Sequence, residues 1–161
     1  MNFGKAFGVA KIPVIILVVL AALTPVIRIV LSSVMEGIPF VGTALTCILG
    51  LPMLAIHIAL YFWLGYLIYK AKLEIVDAAL VGGITAAIAA VLSVVISFIA
   101  NMLGLTVGMV TGSTNIFAAL SEAVIGIGFG VIAIILTPMI GFVIGLILAV
   151  IGYFLGSALK K

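Results

Sequence analysis

Charged residues fall at Lys5, Lys11, Arg28, Glu36, Lys70, Lys72, Glu74, Asp77, Glu122, Lys160 and Lys161, and the stretches between them are almost wholly apolar. An apolar helix of about 20 residues, rising 1.5 Å per residue, matches a hydrocarbon core about 30 Å thick. The pattern therefore predicts a helix over 12–31, then a turn carrying Ser32, Ser33, Gly37 and Pro39. A second helix is expected over 40–69 and a third over 75–103, separated by the charged turn Lys70-Ala71-Lys72-Leu73-Glu74. The second would reach about 45 Å. It must tilt, protrude or break near Gly50 and Pro52, because a proline inside a helix removes a backbone hydrogen bond. An uncharged flexible stretch is expected at 104–115. The last apolar region, 116–159, is about twice the length of one span and holds Pro138 near its middle.

The lysines decide how that last region is counted. Loops on the cytoplasmic side are enriched in Lys and Arg. With four crossings all six lysines fall on one side, whereas with five Lys160 and Lys161 land opposite the others. Four crossings are favoured, with both termini cytoplasmic and 138–159 as the inner part of the last one. Segment 116–137 is then the upper arm of a kinked helix, a re-entrant piece or an interfacial helix. Lys5 and Lys11 ahead of the apolar run 12–23 mimic a secretory signal, but Pro25 and Arg28 follow and no A-x-A site closes the run, so a retained helix is expected.

Composition confirms the solvent. Of 161 residues 67% are hydrophobic and 7% charged, where soluble domains are about a quarter charged, so a soluble globule is excluded and no length remains for a separate soluble domain. The fold class expected is an all-α integral membrane bundle of about four transmembrane helices with proline kinks, forming one domain over 1–161. A duplication would divide it into parallel halves 1–72 and 73–161. The run from Pro52-Met53-Leu54-Ala55-Ile56 reads against Pro138-Met139-Ile140-Gly141-Phe142, and each continues to a Gly-Tyr pair, Gly65-Tyr66 and Gly152-Tyr153, followed by lysines. A chain written mostly in Ile, Leu, Val, Ala and Gly also aligns with itself by chance.

In lipid, helices associate through small residues and interhelical hydrogen bonds, since burying apolar side chains gains little there. Ala79, Gly83, Ala86, Ala90, Ser93 and Ser97 follow alternating steps of four and three, which keeps one stripe facing a partner helix. Gly141, Gly145, Ala149, Gly152 and Gly156 form a second stripe, with two G-x-x-x-G steps. Both suit packing within one subunit or between copies.

Ionisable groups inside a bilayer are costly and are the first candidates for function. His57 lies thirteen residues before Lys70, near the bilayer middle; it suits a proton or ion relay, or a neutral ring bonded to a helix carbonyl or to a serine such as Ser93. Glu122 is an intramembrane carboxyl about 10 Å past the start of its helix, needing protonation or a partner such as Arg28 or His57, unless the segment lies flat and the group faces water. Arg28 reads as a snorkelling anchor or a partner of Glu36. Glu74 and Asp77 open the third helix, where acids complement the helix dipole. Trp63, Tyr61, Tyr66 and Tyr69 read as an interfacial belt.

Catalytic and cofactor patterns are missing. There is no G-x-S-x-G, H-E-x-x-H or P-loop, and one cysteine with one histidine cannot build a zinc or iron–sulfur site, so neither an enzyme nor a metal or cofactor is expected. A net charge of +3, with lysines at segment ends, implies a bilayer and not nucleic acid as the partner. The function expected is an accessory or structural subunit, or a self-assembling component, of a membrane complex. The alternative is a small channel or transporter with its path near His57, Pro52 and Pro138 breaking helices at the site.

Overall fold

The structure, a computed structural model, describes the backbone at residues 2–34, 39–110 and 116–159 and the side chains at 2–27, 30, 48, 50–100, 102 and 132–159. It is an all-α bundle, 94% helical, with no strand among the described residues. Five helices follow in order: α1 Phe3–Val9, α2 Lys11–Val34, α3 Pro39–Lys70, α4 Ile75–Val110 and α5 Ile116–Ala158. By length and apolarity Gly50–Lys70, Ile75–Ala100 and Ile132–Ala158 are each able to cross a membrane, and the bent pair Phe3–Val9 with Lys11–Ile27 brings the number to four when the two are counted as one span.

The first element departs from expectation. A separate seven-residue helix precedes the predicted one and meets it at 73°. Pro13 is the cause. Helical bonds run from Ala10 N–H to the Ala6 carbonyl, 3.0 Å, and from Val14 N–H to the Ala10 carbonyl, 3.1 Å. Pro13 has no N–H for the Val9 carbonyl, and its ring would clash with that carbonyl in a straight helix, so α1 stops at Val9. Pro25, Pro52 and Pro138, by contrast, sit inside α2, α3 and α5, which continue through them.

α3 ends in a tight cap. Leu73 N–H bonds the Ile68 carbonyl, 3.3 Å, and Lys72 N–H bonds the Tyr69 carbonyl, 2.9 Å, which is the paired geometry of a Schellman motif. Lys72 occupies its left-handed position, with φ 56°, where glycine is the usual residue. Four residues thus reverse the chain and set α4 antiparallel to α3. The expected break at 104–115 begins later than its glycine suggested, since α4 continues to Val110; 111–115 lie outside the described residues.

α4 is the central helix, packed on α2, α3 and α5. The buried core gathers Leu17 of α2, Leu64 and Ile68 of α3, Ala78 and Val81 of α4 and Ala149 of α5, with Ala6 of α1 and Ala10 at the bend. Neighbours pair 62 with 152 and 66 with 156 between α3 and α5, so these helices run parallel; α4 and α5 pair 82 with 145 and 90 with 141, so these are antiparallel. The chain is an up–down–up–down bundle, and the described residues at both termini lie beside the 71–74 turn. α5 is one unbroken helix, so 116–137 does not fold back on 138–158.

Candidate functional site

Among the described residues, the small-residue stripe of α5 lies in close contact with α3 and α4. A Cβ added at Gly145 would fall on the Ala86 side chain and 2.5 Å from the Gly82 carbonyl oxygen; one at Gly141 would stand 3.3 Å from both the Ala86 carbonyl oxygen and the Ala90 Cβ. Further along, a Cβ at Gly152 would meet the Phe62 backbone, and one at Gly156 the Tyr69 ring at 2.8 Å. Ala149 is wholly buried between Gly65 of α3 and Gly82 of α4. Within the α4 stripe a Cβ added at Gly83 would come 2.7 Å from the Phe142 ring and Ala86 and Ala90 face α5, while Ala79, Ser93 and Ser97 are half-buried. Gly65 and Gly82 complete the seams and were not among the sequence candidates. Gly65 has no small residue three or four positions away, so spacing does not identify it, whereas Gly82 lies three residues after Ala79 and four before Ala86 and was legible in the same stripe.

A local symmetry accompanies the α3–α5 contact. Gly65 meets Ala149, three residues before Gly152, and Gly152 meets Phe62, three residues before Gly65. Each Gly-Tyr pair therefore lets the opposite helix approach at its own backbone.

Three polar side chains within the helices, those of Thr24, His57 and Thr85, turn back on their own helices. His57 Nδ1 lies 2.7 Å from the Met53 carbonyl oxygen, four residues earlier. Thr85 Oγ1 donates to the Val81 carbonyl, 2.7 Å, and Thr24 Oγ1 to the Leu20 carbonyl, 2.7 Å. A carbonyl can only accept, so Nδ1 is the donating nitrogen of this pair. The structure brings neither Ser93 nor any metal-competent cluster to His57 among the described residues. Arg28 lies in α2 and Glu122 in α5, with side chains outside the described residues; Glu36 lies wholly outside them.

Among the described residues the most buried carboxyl is one expected to complement a helix end or to meet Lys70 or Lys72. Asp77 is 1% exposed. Its Oδ2 accepts the Glu74 N–H, 3.3 Å, capping the start of α4 as the third residue of a helix does in a capping box, and its Oδ1 accepts the Asn2 N–H, 2.9 Å. The second bond fixes α1 to the bundle across 75 residues of chain. Nearby, the Tyr153 hydroxyl donates to the Leu73 carbonyl, 3.0 Å, and its ring meets Tyr69 edge-on with centroids 5.3 Å apart. Of the expected aromatic belt, Trp63 and Tyr66 are exposed, but Tyr61 is buried in the core, 7% exposed, and Tyr69 is engaged with Tyr153. Lys5, Lys11, Lys70 and Lys72 are exposed at this same end.

No protein-family profile, curated protein sequence or solved structure matches the chain.

Proposed function

We propose that the protein acts by assembly, as a structural or accessory subunit or a self-associating component of a membrane complex, with its lysine end cytoplasmic. One observation carries this reading. Thr24, His57 and Thr85 are each bonded to a carbonyl of their own helix, so these membrane-depth polar groups are satisfied locally and do not converge on a common path. Transport needs polar groups lining such a path. What the bundle offers outward is bulk apolar surface: on α5 Ile135, Met139, Ile140, Val143 and Ile147 are all at least half exposed, turned away from the glycine seam. No catalytic role is proposed.

The test is the mass of the protein extracted in mild detergent, with co-purifying chains identified. A stoichiometric partner or a defined homo-oligomer is expected. A lone monomer overturns the assembly reading, and a flux assay in liposomes comparing wild type with His57→Ala then tests the transport alternative.

A further inference from the structure

We propose that the lysine end of the bundle is a binding surface for anionic phospholipid headgroups, with α1 lying along the membrane interface as part of that surface. The bend supplies the orientation: α1 leaves α2 at 73°, so when α2 crosses the bilayer α1 runs nearly in its plane. The faces of α1 then fall into place. At about 100° per residue, Lys5 lies opposite the midpoint of Phe3 and Phe7. Phe3 and Phe7 are 36% and 38% exposed, with ring centroids 6.1 Å apart. Ala6 and Ala10, on the flank between, are wholly buried against the bundle. Rings toward the acyl chains and an ammonium toward water is the disposition of an interfacial amphipathic helix.

The charge is concentrated where that helix lies. Lys5, Lys11, Lys70 and Lys72 are exposed, and the bond from Asn2 to Asp77 places the start of α1 beside the turn that carries the last two. Two acids share this end, Glu74 exposed in the turn and Asp77 buried with both its oxygens accepting backbone N–H groups, so the four lysines leave a formal excess of two positive charges. On the flank of α1 turned away from the bundle, Gly4 and Gly8 have nothing within 4 Å of where a Cβ would stand, leaving backbone open to a headgroup. Continuity with the bilayer selects lipid over an acidic protein: exposed Ile12, Ile15 and Ile16 follow Lys11 directly, so acyl chains already reach this level. The inference is independent of the assembly proposal.

The experiment uses the full chain in nanodiscs of phosphatidylcholine mixed with phosphatidylglycerol, with lipids retained after detergent transfer counted by native mass spectrometry. Wild type is expected to retain phosphatidylglycerol in preference, each Lys→Gln change at 5, 11, 70 or 72 to lower the preference about two- to five-fold, and the fourfold Lys→Arg variant to keep it. In a Trp63→Phe background, Phe7→Trp reports position, and chain-brominated lipid is expected to quench it in wild type and in the Gln variants alike, which shows that they remain folded. Equal retention of the two lipids, or a preference that survives the fourfold Gln variant, overturns the proposal. Displacement of phosphatidylglycerol by a co-purifying acidic protein also overturns it, in favour of a protein partner.

Discussion

Glycine has opposite meanings at two positions of the same helix. At Gly65 an added Cβ would strike the Ala149 carbonyl oxygen and come 2.7 Å from the Tyr153 nitrogen, atoms of backbone that cannot rotate aside. At Gly50 nothing lies within 4 Å. Gly65→Ala is therefore expected to force α3 from α5 and lower stability by about 1–3 kcal/mol, as overpacking does. Gly50→Ala is expected to be neutral or to raise stability by up to about 1 kcal/mol through helix propensity. Thermal unfolding in one detergent compares them, and equal midpoints would show that α3 and α5 are not packed as described. Asp77→Asn is a second residue-scale test. The amide keeps one acceptor and turns an NH2 toward a backbone N–H, so about 1.5–3 kcal/mol of charged hydrogen bonding is at stake. Faster hydrogen exchange confined to residues 2–10 and the start of α4 is expected; unchanged exchange there would remove Asp77 as the anchor of α1.

Among the elements, Pro13 is the residue whose removal changes geometry and not merely stability. Pro13→Ala restores an N–H for the Val9 carbonyl, so α1 and α2 gain the option of one straight helix, opposed by the burial of Ala6 and Ala10. The spin-label distance from Gly4→Cys to Lys72→Cys, in a Cys47→Ser background, is expected to broaden or lengthen in Pro13→Ala. A distance distribution identical to that of the Pro13 chain would place the cause of the bend in packing alone. This element also marks where reading the sequence stopped short. Apolar runs and their charged boundaries predict α2, α3 and α4 to within a few residues at most ends, because span length is imposed by the bilayer. α1 is too short and too rich in glycine to be stable alone, and it forms because Ala6, Ala10 and the Asn2–Asp77 bond hold it. α4 runs past Gly104 to Val110, because a single glycine costs a helix only about 1 kcal/mol and does not by itself end it. Asp77 was legible as a helix-start acid but not as the tie to residue 2, a contact that no local pattern encodes.

For the molecule as a whole, length decides how the last helix is placed. The described ends of the chain and the 71–74 turn share one end of the bundle, so the start of α4 and the last residues of α5 mark a single interface. α5 extends 43 residues from there, about 65 Å, against a hydrocarbon core about 30 Å thick. Glu122 stands 36 residues before Ala158, about 54 Å along the helix, well beyond the opposite interface even when the helix is tilted by a typical 20°. By helix length, position 122 is expected on the far side of the membrane and not within it. In a Cys47→Ser background, Glu122→Cys is expected to react with a membrane-impermeant maleimide from the side opposite to Gly4→Cys and Lys72→Cys. Labelling of all three from one side would sink the four-crossing arrangement. Labelling of Glu122→Cys from neither side would return that position to the membrane interior, next to His57 in any search for a transport path.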